Sequence, residues 1–351
     1  MRDHNPEGIV DRVWRTPDRL RALRPEAVGL LDLANELAWQ AVEPTLLEQV
    51  RLRVASAMGN EPGMRRRSIS AREHGLSETK ISQLDDYYTA EAFSESERDC
   101  FAFAEQFVID VGGITDADRA RLGRHFTGAQ VHGFVVALYV TECTQRLEVA
   151  SHALLGGPVS ELGHSAAAPG RRPAAESSKE IFQALHEALE NYQNAVVRGT
   201  AQDLVITEMV RLRCARTHDC RICKTLRLVE ARDAGADDAM TAKVDFYEKS
   251  DLDERTKIAL RITDAFITRP DTLTEDLIDQ ARAAFSPEEL AELCLDISKW
   301  STQKIYVSLG TDAADDLPKN EEGVSFFGFS EDGSVAGFSA TPEPAGRSTP
   351  A

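Results

Sequence analysis

Cysteine is scarce: six in 351 residues are too few for a disulfide scaffold. Alternating β-branched runs are almost missing, which sets aside the all-β classes. No stretch reaches the ~18 consecutive apolar residues that a membrane span needs, so no membrane insertion is expected. Positive charge is also short. Lys and Arg number 40 against 58 Asp and Glu, for a net charge of −18. Such an excess of carboxylates repels phosphate, so nucleic acid is not an expected partner. The one basic run, Arg65-Arg66-Arg67, has no aromatic residues interleaved and is read as a solvated helix face. Residues Met1 to Pro6 are polar and lack the apolar stretch of a signal peptide, which makes the cytoplasm the expected location. In a reducing compartment, any special cysteine reads as a ligand or a redox thiol. No Gly-rich dinucleotide loop is seen, so electrons would have to come from a separate carrier.

What is present is helical. The hydrophobic fraction of 42% and charged fraction of 28% suit a folded chain with a sizeable core. At roughly 150 residues per domain, the length suggests two domains. Apolar residues recur at helical spacing: Val28, Leu31, Ala34, Leu37 and Ala38 follow Pro25, and Leu277, Ile278, Ala281, Ala284 and Phe285 form another stripe. Ser286-Pro287-Glu288-Glu289 reads as a helix start, with a cap serine, a proline in the first turn and acids near the positive dipole end.

The stretch 156–178 is rich in Gly, Pro, Ala and Ser and reads as a flexible linker. Residues 312–351 read as an acidic, Pro/Ser-rich and mostly disordered tail. Within it, 324–329 and 335–338 could form a small hairpin or a segment that packs on a partner. The halves on either side of the linker are related. Leu47 to Ala55 matches Thr207 to Ala215 at an offset of 160, and Thr144-Gln145-Arg146 matches Thr302-Gln303-Lys304 at nearly the same offset. The expected architecture is therefore all-α and duplicated, with helical domains over 1–155 and 179–311.

The second copy carries the chemistry. Between Glu208 and Arg227 lies Cys220-Arg221-Ile222-Cys223. A helix is predicted to end near Arg216 and a new one to start after Asp219, with Asp219 as its cap. Cys220 and Cys223 are then i, i+3 neighbours, close enough for a disulfide, and Arg227 stands one turn further along. A helix start and nearby cations favour thiolate. A second thiol can resolve an oxidised first one. There is no second Cys-x-x-Cys, and His218 alone does not complete a zinc site, so no metal and no cofactor are expected. The plain alternative is two ordinary helix cysteines. Cys100, Cys143, Cys214 and Cys294 sit in apolar helical stretches and read as core.

The Glu-x11-Cys-x2-Cys arrangement, the Ala/Gly-rich stretch after it (Glu230 to Gly235) and the closing phrase Trp300 to Gly310 resemble the carboxymuconolactone decarboxylase and AhpD-like superfamily. The resemblance covers about 180–310 well and about 25–155 more faintly. It implies two tandem AhpD-like all-helical domains, homo-oligomeric assembly through apolar faces, and an alkylhydroperoxidase or disulfide-reductase enzyme. Cys223 would be the peroxidatic thiol, Cys220 the resolving thiol, and Glu208 the residue that tunes or deprotonates. The substrate would be a hydroperoxide or a partner's disulfide, and the reductant a thioredoxin-like or lipoyl carrier. The family's His position falls on Arg227, which cannot act as a base but can hold a thiolate. His218 is the other candidate for the missing relay, although a histidine in such a turn reads as solvated or capping. The first copy has Asn60 and Gly63 in place of the cysteines yet keeps Glu48 beside Arg51, so the carboxylate has a possible structural reading in both halves. The alternative functions are a decarboxylase-type lyase acting on a small lactone or carboxylate, and a non-catalytic helical assembly protein.

Overall fold

The computed structural model describes residues 8–10, 17–156 and 178–342. Residues 157–177, which hold almost all of the expected linker, and residues 343–351 of the expected tail lie outside them. The fold is all-α, with five short strands among the described residues.

The first half runs β1 (Gly8–Val10), α1 (Asp18–Leu23), α2 (Pro25–Ala41), α3 (Pro44–Ala57), α4 (Glu61–Arg65), β2 (Arg66–Ser68), α5 (Ile69–Glu73), α6 (Glu78–Ile81), α7 (Glu95–Ile109), α8 (Asp116–Gly123) and α9 (Gly128–Leu155). The second runs α10 (Ser178–Val197), α11 (Leu204–Thr217), α12 (Arg221–Thr225), β3 (Leu226–Leu228), α13 (Val229–Asp233), α14 (Asp238–Thr241), α15 (Glu254–Thr268), α16 (Glu275–Ala284), α17 (Pro287–Trp300) and α18 (Gln303–Leu309), then β4 (Ser325–Phe329) and β5 (Val335–Ser339). From α2 to α9 and from α10 to α18 the succession of elements is the same, with α17 and α18 together standing where α9 is unbroken.

The matching starts have matching causes. Thr127 and Ser286 each close a capping box, with Gln130 and Glu289 respectively, and so begin α9 and α17. Pro287 sits in the first turn, as the sequence predicts. Helix α9 is buried along most of its 28 residues, because helices from both halves pack around it. The two halves accordingly share one contiguous core: Leu47, Val50, Phe101 and Leu138 belong to the same cluster as Leu185, Val210, Ile262 and Leu293. Ser298 sits at the junction. Its carbonyl accepts from Tyr139 Oη at 2.5 Å, and its hydroxyl lies 2.8 Å from Tyr192 Oη.

Two sequence expectations are corrected here. The run Arg65-Arg66-Arg67 is not a solvated face. Arg66 and Arg67 are buried, the first paired with buried Glu148 and the second with the exposed Glu78 at 3.1 Å, so their charge is spent on carboxylates. The tail over 312–351 is not mostly disordered in its described part. Strand β4 pairs parallel to β3 (Leu226 opposite Ser325, Leu228 opposite Phe327) and antiparallel to β5. The cause is aromatic burial: Phe326 and Phe327 are 2% and 4% exposed, and Phe327 and Phe329 pack on Trp300 with ring centroids 6.5 and 6.2 Å away. In the first half, β1 pairs parallel to β2 at the corresponding edge.

Candidate functional site

Helix α11 begins at Asp203, whose carboxylate accepts from the amides of Val205 and Ile206 at 2.9 and 3.2 Å. It ends at His218. Asp219 then adopts a left-handed conformation (φ 53°), a region Asp tolerates better than most residues, and its carboxylate pairs with Lys224. The new helix starts one residue later than the sequence predicts. Cys220, not Asp219, is the cap of α12, and its Sγ accepts the Cys223 amide at 3.3 Å.

Cys220 and Cys223 are joined as a disulfide, with Cα atoms 5.3 Å apart. Their burial differs. Cys220 is fully buried and belongs to the shared core, whereas Cys223 is half-buried against it. Cys220 is thus sealed in the core, whereas Cys223 keeps part of its surface outside it. Asp312 latches the start of α12 from the far end of the chain. Its carboxylate accepts from the Arg221 amide at 2.8 Å and from the Arg221 guanidinium at 2.7 Å, while its carbonyl accepts from the Ile222 amide at 3.1 Å. Burial alone would raise the Asp312 carboxyl, but these Arg221 bonds outweigh it and hold the group below its usual range.

Beside the pair lies a cleft of about 370 Å³. Asp219 and Arg221, which flank Cys220, form one wall. Gly112, Asp116 and Arg119 of the first half form the other, and Asp312 closes it. A Cβ at Gly112 would lie 3.0 Å from the Asp219 Cβ, so the two halves meet here almost backbone to side chain. The cleft is polar, and its cations are engaged: Arg119 with Asp116 at 2.6 Å and Arg221 with Asp312.

The remaining predicted site residues surround the pair without forming a proton relay. Glu208 is buried and bidentate to Arg211, with both contacts at 2.6 Å. Arg211 in turn donates to the carbonyls of Cys223 and Leu226 at 3.1 and 2.5 Å, and Glu208 accepts the Leu228 amide at 3.4 Å. The carboxylate is therefore committed to the backbone that follows the disulfide, and it reaches Cys223 only through Arg211. Arg227 is half-buried and donates to the carbonyls of Lys224 and Leu226 at 2.9 and 2.8 Å. Burial and neighbouring Arg211 lower its proton affinity.

His218 corrects the expectation of a solvated turn residue. It is 4% exposed, with Nε2 3.1 Å from Ser301 Oγ. Ser301 spends its own proton on the Ile297 carbonyl at 2.8 Å, so Nε2 is the donor. Burial first, then Lys304 and Arg146, push the His218 imidazole well below its usual pKa, and it stays neutral. The four free cysteines are all buried, as the sequence suggests, and burial raises the thiol pKa of each.

Three features escaped the sequence reading. Asp312 falls in a stretch whose composition looks disordered. Gln303 carries a signal only through the match of Thr302-Gln303-Lys304 to Thr144-Gln145-Arg146. The third is a buried knot between the halves, in which Glu142 holds Arg146 at 2.7 Å and Lys304 at 2.5 Å. Elsewhere, Glu95, Asp99 and His125 bring ligand atoms together as a metal site does, but Arg124 already holds Asp99 and Glu95 at 3.2 and 3.5 Å.

Two proteins of Mycobacterium tuberculosis are similar to this chain. Uncharacterized protein MT2376 (strain CDC 1551 / Oshkosh) and Uncharacterized protein Rv2313c (strain ATCC 25618 / H37Rv) are each 36% identical over 232 residues, which is 66% of this chain and 77% of theirs. No family model matches the chain. No solved structure matches it either.

Proposed function

The chain belongs to the family of these two mycobacterial proteins, and from that premise we propose that it is a thiol–disulfide oxidoreductase of AhpD-like type. It reduces a hydroperoxide or a partner's disulfide through Cys220 and Cys223. One observation carries the reading: the two sulfurs are bonded at the start of α12, with Cys220 fully buried and Cys223 only partly so. That asymmetry suits a division of labour. The accessible Cys223 thiolate attacks the peroxide oxygen, an alcohol or water leaves, and Cys223 becomes a sulfenic acid. Cys220 then displaces water from it and closes the disulfide. With a partner disulfide, Cys223 forms the mixed disulfide and Cys220 releases the reduced partner. A dithiol carrier of thioredoxin-like or lipoyl type returns the two electrons.

Glu208 acts here as a positioning residue, because its contact with the redox segment runs through Arg211. Arg227 lends positive field. The proposal also takes the two halves as tandem AhpD-like domains, the first a scaffold without the redox pair, in a cytoplasmic homo-oligomer.

The reduced protein is challenged separately with hydrogen peroxide, cumene hydroperoxide and hydroxyethyl disulfide, and free thiols are counted before and after. Loss of two thiols, mapped as Cys220–Cys223, is the expected result. Cys223→Ser should abolish turnover of all three compounds. A Cys223→Ser protein with full activity overturns the reading, as does a pair that stays reduced in every challenge.

A further inference from the structure

Building on the thiol–disulfide reading above, we propose that Gln303 is a positioning residue of the redox pair: its side-chain oxygen accepts an S–H hydrogen bond from the dithiol form and has no donor in the disulfide form. The starting point is an orphaned acceptor. Gln303 is 5% exposed, and among the described residues its buried Oε1 has no hydrogen-bond partner. A buried acceptor left unpaired destabilises the state that leaves it so.

The first half shows what this position faces. Gln145 is the counterpart of Gln303. Its Nε2 donates to the Arg51 carbonyl at 2.9 Å, and its Oε1 accepts from Asn60 Nδ2 at 2.9 Å. Asn60 is the counterpart of Cys220, and each caps a five-residue helix with its side chain. Asn60 Oδ1 accepts the Gly63 amide at 2.9 Å, as Cys220 Sγ accepts that of Cys223. A Cβ on Gly63, the counterpart of Cys223, would lie 2.6 Å from Asn60 Nδ2 and 2.9 Å from Gln145 Oε1. The two amides thus fill the space that a second sulfur would need. Among the described residues Gln303 has no counterpart of the Gln145 bond to the Arg51 carbonyl, but its neighbours Ser301 and Val307 stand by His218 and by the cleft that Arg221 lines, on either side of Cys220. On that correspondence we place Gln303 Oε1 facing the sulfur pair, where the amide donor of Asn60 has been exchanged for sulfur. A disulfide carries no proton to give; a dithiol does.

Reduction supplies that proton. A reductant thiolate attacks Cys223 Sγ, and the Cys220–Cys223 bond breaks with its electron pair on Cys220. Cys220 takes the proton of the reductant's second thiol and donates it in a hydrogen bond to Gln303 Oε1. That second thiolate then displaces Cys223, leaving the reductant as a disulfide and both cysteines reduced. Gln303 stabilises the reduced form, so the pair is more readily reduced than it would be beside an apolar residue.

The full-length chain is equilibrated in dithiothreitol redox buffers, and the fraction of Cys220–Cys223 disulfide is read by thiol alkylation. Gln303→Leu, and the near-isosteric Gln303→Met, should favour the disulfide about tenfold, a potential about 30 mV lower. Gln145→Leu should leave the equilibrium within about twofold. Folded Gln303 variants with the wild-type equilibrium, beside a wild-type pair that cycles reversibly, overturn this proposal and leave the redox reading standing. A wild-type pair that does not cycle between disulfide and dithiol overturns the redox reading, and this proposal with it.

Discussion

In the first half Glu48 holds Arg51, and Arg51 holds the carbonyls of Gly63 and Arg66. In the second, Glu208 holds Arg211, and Arg211 holds those of Cys223 and Leu226. The amides of Ser68 and Leu228 close each clamp on the glutamate at 3.1 and 3.4 Å. The correspondence extends outward. Arg53 and Tyr87 meet on Glu105, just as Arg213 and Tyr247 meet on Asp264. What differs is the filling of the loop: Asn60, Gln145 and Glu148 form a polar network in one half, and a disulfide takes that place in the other. A clamp that persists without the sulfurs is a device for shaping backbone. At its tip the halves differ by two residues, Asn60 and Gly63 against Cys220 and Cys223.

The sharpest way to break this comparison is to cut both clamps. Arg51→Met and Arg211→Met each leave a buried carboxylate unpaired, and each should cost about 3–5 kcal/mol in urea unfolding. Similar losses would show one role in two places. Glu208→Gln and Glu48→Gln then separate structure from catalysis. On the structural account both lower stability, and Glu208→Gln keeps its turnover per folded molecule. A Glu208→Gln protein of normal stability with turnover lost would make Glu208 a base.

A second contrast lies in the inner helices. Asp296 in α17 is buried, whereas the corresponding stretch of α9 is apolar at Ala137 and Leu138. Burial first, then neighbouring Glu292, raise the Asp296 carboxyl to about 7. Between about pH 4 and 7 the folded chain keeps a proton that the unfolded chain has released. The stabilising contribution is therefore full below about pH 4 and is lost as pH rises to 7. Asp296→Asn should match the wild type near pH 4 and exceed it at pH 8 by on the order of 2–4 kcal/mol, as read by denaturant titration. Parallel pH profiles for the two proteins would remove the contrast.

The helical class, the like succession of elements in the two halves and the spacing that joins Cys220 to Cys223 were legible because each is local. Periodicity, caps and a three-residue spacing all lie within one or two turns, and the clamp partner at i+3 follows from the same geometry. The duplication helped by showing Glu48 kept where the thiols are gone. Contacts closed over long sequence separations were not legible. Asp312 reaches Arg221 from 91 residues away, out of a segment whose acidic composition resembles disorder. His218 reads as a turn residue, and its burial follows from Ser301 near the far end of the same half, 83 residues on. The hairpin was visible as two aromatic runs, but its parallel seat on β3 depends on an open edge three residues after Cys223.

The smallest effect concerns that latch, and it can be read against the first half. There the residue in the second position of α4 is Pro62, which has no amide to satisfy, and the Glu61 amide finds the Gly59 carbonyl locally at 2.9 Å. In the second half the corresponding amides belong to Arg221 and Ile222, and both are answered by Asp312. The first half therefore needs no latch, and the second carries one at the mouth of its disulfide. Asp312→Ala removes the carboxylate but keeps the carbonyl bond to Ile222. Its global cost should be about 1 kcal/mol, set by the backbone bond, because the Arg221 guanidinium is solvated and adds little. The local effect should exceed the global one. Amide exchange at Arg221 should quicken while that at Glu61 is unchanged, and the disulfide should be reduced severalfold faster by dithiothreitol as α12 frays. Equal exchange at both amides, with an unaltered reduction rate, would mean that the tail covers the redox segment without holding it.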